Sequence, residues 1–485
     1  MKRIATLVLG AAMALGSVGA ASAVDVKVAG EWDFAFGWDK NTSFQKDDNA
    51  DDFISRHRVR TQVNFIASEN LQGVLMFEIG DLNWGRDEGG KSGPGSGGGL
   101  DADGVNVETK LAYLDWLIPQ TEVSVRMGIQ YVALPSGTDF GNPVLNSDVA
   151  GITITAPIND MFGVTALWAR PFDAQDSDGD RNMQDEMDLF ALMLPITGDG
   201  WNVTPWGAYA KIGNASGFYD YVLGDGLDGL ADQYGFDDLS VGNNDGTMAW
   251  WAGLATSVEV FDPLTFGFDV MYGHLNRANL VLDGEFGGLP LSQRLGAVET
   301  GGWLLDARLD YNLDWAVPGI FGWYSTGDDK DDVKDGEYGR MPAIGFDNGF
   351  APTGFGAPGA FGIGSDTVIS ATMLGTWGIG AQLADVSFVE DLSHTLRVTY
   401  YRGTNDPDVA KDGLALPFSG EAVYMTTDDW AVEVNFDHMY QIYENLAVIA
   451  ELSWIHLDMD NAVWTDDAYD EENAWKAQVS FQYSF

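Results

Sequence analysis

Cysteine is missing from all 485 residues, which removes disulfide staples, thiolate metal sites and cysteine nucleophiles together. Basic residues are scarce: 25 Lys and Arg stand against 73 Asp and Glu, a formal charge of -48. Nucleic acid attracts basic stripes and would repel such a chain, so it is excluded as a partner. Beyond the first 23 residues no apolar run approaches the ~18 that a membrane-crossing helix needs, so a helical membrane protein is excluded too. What is plentiful is glycine, 60 residues, and aromatics, 12%. Acidic disordered chains are poor in aromatics, so this composition belongs to a chain that folds.

Lys2 and Arg3 precede an apolar run from Ile4 to about Leu15, and Ala21-Ser22-Ala23 supplies small residues at a cleavage position. The pattern predicts a signal peptide over residues 1–23 and one mature domain over 24–485, exported from the cytoplasm.

The mature sequence alternates. From Val24 to Trp38 the even positions are apolar or glycine (Val26, Val28, Trp32, Phe34, Phe36), and the odd ones include Asp25, Lys27, Glu31 and Asp33. Side chains of a strand point to opposite faces with period two, so this is a strand with one greasy and one polar side. The signature returns at 54–68, 121–131, 264–272 and 303–311, and again from Trp475 through Ala477, Val479, Phe481 and Tyr483 to Phe485. Short links at 69–71, 119–120, 159–160, 196–200, 261–263, 313–316, 390–392 and 443–445 interleave with long polar ones. The long ones fall at 39–52, 85–105, 134–148, 170–184, 214–246, 276–300, 326–376, 403–427 and 457–472.

Hairpins with tight turns at one rim and long loops at the other are what a membrane barrel requires. A soluble sandwich or propeller also alternates, with its apolar face turned to a core. Two features favour the membrane. Tryptophans gather at strand ends (Trp38, Trp84, Trp116, Trp168, Trp201, Trp303, Trp430, Trp475) as interfacial girdles do, and the apparent strands are longer than globular ones. The expectation is an all-β fold, a transmembrane antiparallel up-and-down β-barrel with long outer loops and short periplasmic turns. The segments number about 18, with 16 as the alternative, because 185–195 and 377–389 alternate weakly.

The leader, the segment Val24-Asp25-Val26-Lys27-Val28-Ala29-Gly30-Glu31-Trp32, the barrel pattern and the C-terminal Phe481, Tyr483 and Phe485 resemble the homotrimeric outer-membrane porins of sulfate-reducing bacteria. They resemble general diffusion porins more distantly. The resemblance implies a trimeric, passive, water-filled channel in the outer membrane of a Gram-negative bacterium, carrying small hydrophilic solutes and ions. It implies outer-membrane lipid, lipopolysaccharide and the barrel-insertion machinery as partners, the last reading Val479, Phe481, Tyr483 and Phe485 as an insertion signal. In general porins the third outer loop folds inward. Its equivalent here is 134–148, where Asp139-Phe140-Gly141 echoes the loop tip. By that likeness Lys27, Arg58, Arg60, Lys110 and Arg126 form a basic wall opposite Asp139.

Arginine or lysine facing mid-bilayer costs roughly 2–4 kcal/mol, so the strand bases Lys27, Arg56, Arg58, Arg60, Lys110, Arg126, Lys211, Arg308, Arg397 and Lys476 are expected to face the lumen. Arg56, Arg58 and Arg60 share one side of one strand. Like charges at intervals of about 7 Å repel, so the ladder needs water or acids around it. It either attracts anions or is neutralised by Glu78, Glu108 or Glu122 on nearby strands. The first reading leans towards anionic metabolites.

The excess acid gathers in 39–52, 170–188, 326–339 and 457–472. Asp176, Asp178 and Asp180, or the run Asp328-Asp329-Lys330-Asp331-Asp332, offer carboxylates to Ca²⁺ or Mg²⁺. Neither follows the EF-hand spacing, and a solvated acidic rim is the simpler reading, so no cofactor is expected. Nothing points to an enzyme: His57, His274, His394, His438 and His456 lack metal spacing, and G-x-S-x-G is missing. The G-x-G-x-x-G match from Gly93 to Gly98 joins two strands where a dinucleotide loop would open a helix. A solute-specific uptake barrel and a rim-site barrel enzyme are the alternatives.

Overall fold

The computed structural model describes residues 24–41, 51–85, 98–99, 107–173, 186–213, 238–241, 246–286, 289–344, 350–353, 373–412, 424–460, 462–463 and 472–485. The expected signal peptide and the Asp176, Asp178, Asp180 group lie outside these residues, as does all but the end of the run from Gly93 to Gly98.

Eighteen long strands form one closed antiparallel barrel. The first half runs β1 (Asp25–Lys40), β2 (Asp51–Ser68), β3 (Leu71–Asn83), β4 (Val107–Leu117), β5 (Ser124–Ala133), β6 (Asn146–Pro157), β7 (Gly163–Asp173), β8 (Glu186–Met193) with its continuation β9 (Ile196–Gly198), and β10 (Trp201–Ile212). A short β11 (Asp238–Val241) precedes β12 (Thr247–Phe261), β13 (Leu264–Phe286), β14 (Leu289–Tyr311) and β15 (Val317–Ser325). After the two-residue β16 (Glu337–Tyr338) come β17 (Thr376–Val389), β18 (Leu392–Gly403), β19 (Trp430–Tyr443), β20 (Leu446–Asp458) and β21 (Glu472–Ser484). Wall strands pair with their sequence neighbours, and β1 pairs with β21 from Glu31 opposite Ser484 to Lys40 opposite Trp475. Gly30 and Phe485 complete the seam by exchanging both backbone hydrogen bonds at 3.0 Å. Closure satisfies the backbone without solvent, which is the condition for crossing a bilayer in strands.

The turns sort as the sequence predicts, short at one rim and long at the other, with one exception. Residues 276–300 were expected to loop, yet β13 and β14 continue as a paired hairpin to Phe286 opposite Leu289. The Gly-Gly dipeptide at 287–288, flanked by leucines and valine, is a hairpin signal that outweighs the polar residues around it.

The outer face is greasy on every side: Trp32, Phe65, Leu114, Ile129, Ile154, Phe190, Phe266, Trp303, Ile379, Val398, Phe436 and Leu452 are all exposed. Of the expected girdle tryptophans, Trp38, Trp84, Trp116, Trp303 and Trp475 are exposed, joined by Trp250, Trp315 and Trp454. All five histidines lie on this outer face among aromatic rings: His57 bonds Trp84, His274 lies tilted near Trp250, His394 faces His438 beside Phe436, and His456 lies on Trp454. Lys211 corrects the expectation that strand bases face inward. It follows the phase of exposed Tyr209, while Ala210 and Ile212 are buried on the other side. It stands near the outer-rim end of β10, where a long side chain reaches the headgroups.

The inner face is polar only in part. From β7 to β15 it carries buried Leu167, Met187, Leu189, Trp206, Ile212, Trp251, Met271, Leu304, Phe321 and Trp323. These pack against Leu134, Phe140, Val144, Leu145, Met341, Ile344 and Phe350 from connections folded into the barrel. A strand covered on both faces has no reason to alternate, which is why 185–195 reads weakly.

Candidate functional site: a constricted lumen

The connection between β5 and β6 enters the barrel and crosses to the wall formed by β13 and β14. Its tip docks on two acids that face each other across β13 and β14, Asp269 and Asp306. Both are buried, at 1% and 2% exposure. Asp269 accepts hydrogen bonds from Ser136 Oγ at 2.9 Å and from the Gly137 amide at 2.8 and 2.9 Å. Thr138 Oγ1 donates to Asp306 at 2.5 Å and lies 3.2 Å from Asp269. Glycine is required at 137 because a Cβ there would fall inside contact distance of the Thr256 backbone. Asp269 stands five residues into β13 from its start at the short-turn rim, so the tip reaches deep into the barrel.

Beyond the clamp, Phe140 packs edge-on against Phe321 and Phe350, with ring centroids at 5.3 and 5.9 Å. Asp139 has φ +64° and an exposed carboxylate. Aspartate tolerates that backbone shape better than most residues. The described residues of 326–344 and 350–353 form a second inward layer. Ile344 N bonds Val144 O, Ala351 N bonds Phe140 O, and Trp251 Nε1 donates to Pro342 O at 2.7 Å. This layer hangs on Asp328 and Arg340, both 1% exposed and joined at 2.9 Å. Asp328 also accepts from Gly339 N and Tyr424 Oη, each at 3.0 Å. The 326–339 run is therefore not wholly a solvated rim, because its first aspartate is a buried anchor. Burial among these groups pushes the Tyr338 phenol up to about 12.

Two short helices, Lys330–Lys334 and Pro407–Lys411, are tied at the surface by Lys330 with Asp408 at 2.9 Å and Asp412 at 3.3 Å. The hydrogen bond from Lys330 holds Asp408 below the usual carboxylate range, and the same bond holds the ammonium above its own. The Asp408 share is present above the ordinary carboxylate value and lost as pH falls through its lowered one. The Lys330 share is present below the ordinary ammonium value and lost as pH rises through its raised one. The tie thus spans the neutral range.

The arginine ladder on β2 faces inward, and acids meet every rung. Arg56 lies 3.3 Å from Asp81, Arg58 3.7 Å from Asp81 and 4.0 Å from Asp33, and Arg60 2.5 Å from Glu78 and 3.2 Å from Glu31. Glu78 was foreseen; Glu31, Asp33 and Asp81 were not, although Glu31 and Asp33 hold the polar positions of the adjoining strand. Arg126 also faces inward, bound to Asp115 at 2.7 and 2.9 Å and lying over Tyr113.

Two expected members of the basic wall stand elsewhere. Lys110 binds Asp148 at 2.7 Å, and Asp148 opposes exposed Tyr131 in register, so the pair occupies the outer face near the long-loop rim. Lys27 is exposed, in a part of β1 that precedes the seam with β21, near the short-turn rim. Neither stands opposite Asp139. The C-terminal Phe481, Tyr483 and Phe485 are exposed on the outer face, with Val479 in the same phase. Among the described residues no group of three or more histidines and acids is arranged to hold a metal.

Sequence reasoning missed the clamp. Asp269 is the lone charged residue of 264–272, whereas Asp306 shares its inner face with Arg308 and Asp310; an acid beside Met271 and Leu304 was the available signal. Asp328 and Arg340 carried none, since only folding brings them together.

No protein-family model matches the sequence, and no curated protein matches it. Solved structures match in fold. Acinetobacter baumannii OccAB2 aligns over 95% of this chain and 98% of its own, with a TM-score of 0.51 and 11% identity. Pseudomonas aeruginosa OpdL aligns over 95% and 99% with a TM-score of 0.49 and 11% identity, and Pseudomonas aeruginosa OpdQ over 95% and 98% with 0.47 and 13%. At 11% identity the likeness to OccAB2 is one of fold, over nearly the whole chain.

Proposed function

We propose that the chain is an outer-membrane porin of a Gram-negative bacterium, exported by cleavage after Ala23, through which small hydrophilic solutes and ions diffuse down their gradients. One observation carries the reading: a barrel greasy outside holds charged pairs inside, with a loop clamped across its interior. Such a wall stabilises ions and dipoles at a constriction and filters by size and charge. Assembly as a homotrimer, contact with lipopolysaccharide and recognition of Val479, Phe481, Tyr483 and Phe485 by the insertion machinery belong to the same reading. Chemical crosslinking in membranes tests the trimer by the size of the linked product.

An anion preference loses its strongest carrier, because each ladder arginine has an acid of its own. Opposite charges in contact leave little net field at a distance beyond the ~8 Å screening length. The ladder is better suited to orienting dipolar solutes than to gathering anions.

Reconstitution tests the function. Liposomes containing the purified protein should swell in isosmotic small sugars and amino acids, at rates falling as solute size rises. Swelling no faster than protein-free liposomes for every solute would end the porin reading.

A further inference from the structure

Two oppositely charged side chains of the inner wall have no ion-pair partner among the described residues. Arg397 on β18 has one long hydrogen bond, to Gln382 Oε1 at 3.5 Å, and its Nε is buried with no partner. Every other inner-wall arginine described above meets a carboxylate, including Arg308, which lies 2.6 Å from Asp310. On β19, Asp437 interacts with Arg397 and Lys476 only through space, beyond ion-pair contact among the described residues. A half-buried charge with no counter-charge in contact is incompletely compensated, so two such groups side by side suit a guest.

Their placement defines that guest. Arg397 opposes Asn435 in register, and Asp437 opposes Thr395, so Arg397 and Asp437 are diagonal neighbours on one face, about 7–8 Å apart along the backbone. Between them Asn435, 1% exposed, donates to Glu433 at 2.8 Å and keeps a buried carbonyl oxygen without a partner. Glu451 opposes Asp437 on the next strand. Phe321 lies under the Arg397 guanidinium at 5.7 Å and is the ring on which Phe140 of the inward loop packs, so the pair sits beside the constriction.

A lone anion on Arg397 would feel Asp437, Glu433 and Asp310 against Arg308, and a lone cation on Asp437 would feel Arg397 and Lys476 against Glu451 and Glu433. A molecule carrying both charges a few bonds apart avoids both penalties. We propose that Arg397 and Asp437 form a seat for small zwitterions of the amino-acid class. The carboxylate lies on Arg397, the ammonium on Asp437 with Glu451 behind it, and the Asn435 oxygen is a further acceptor. The seat rests on the porin reading and gives it a substrate class.

Planar-bilayer recording tests it, with L-alanine as the probe. L-alanine should interrupt the KCl current at a half-blocking concentration about tenfold below that of acetate or methylammonium. Arg397→Gln and Asp437→Asn should each raise that concentration about tenfold. The wild-type comparison of the three probes needs no variant and stands even if a substitution disturbs folding. L-alanine blocking no better than the single-charge probes, or equally well in both variants, overturns the seat while leaving the channel intact. A protein that passes no current overturns the porin reading and the seat with it.

Discussion

Replacing Asp269 and Asp306 together with alanine should raise single-channel conductance about twofold and make the current noisy. The tip of the inward loop is held to the wall by donors from Ser136, Gly137 and Thr138 to these two acids. Each such hydrogen bond contributes about 0.5–1.5 kcal/mol, and more where the acceptor is ionised. Losing several of them leaves the tip attached mainly through Phe140 and the outer layer. The wall itself survives, because both acids point inward and β13 and β14 stay paired through their backbones. Asp269→Asn should behave more like wild type, since an amide oxygen still accepts from Ser136 and the Gly137 amide. Conductance and noise unchanged in the double variant would mean that the loop does not set the width of the passage.

The second large effect concerns Arg340. Removing one partner of a buried ion pair strands the other and costs about 3–5 kcal/mol. Arg340→Ala leaves Asp328, 1% exposed, with Gly339 N and Tyr424 Oη as its donors among the described residues. The cost should fall on the inward layer, because Asp328 ties the segments around residues 326–344, 405 and 424 to one point. Hydrogen exchange should therefore accelerate across 326–344 and around 424–429 while amides of β1 to β6 keep their protection. Replacing both partners, Asp328→Leu with Arg340→Met, should loosen the layer less than Arg340→Ala alone. Equal exchange in Arg340→Ala and wild type would show that the pair is incidental to the layer.

What the sequence disclosed follows from which forces act locally. Alternation, tight turns and girdle tryptophans are local, and they revealed the barrel, its rims and its lipid-facing side. Lys110 and Lys211 were misread because alternation identifies a face only when the strand's phase is known. Near a rim the outer face also reaches headgroups and tolerates charge. Leu189 and Trp251 face inward yet are apolar, which no single strand can announce, because the loops covering them come from elsewhere in the chain. The ladder Arg56, Arg58 and Arg60 was visible as a ladder, but its neutralisation required knowing which acids on β1 and β3 oppose it. The unpaired state of Arg397 and Asp437 is a relation among several strands and has no trace in either neighbourhood of sequence.

In the proposed channel the loop carrying Asp139 stands in a water column open to both sides of the membrane. The chain has no cysteine, so Asp139→Cys creates a single thiol at an exposed position of the tip. A charged, membrane-impermeant methanethiosulfonate should react from either side and cut the open-channel current by about half. Complete labelling that leaves the current untouched would place the loop outside the conducting path.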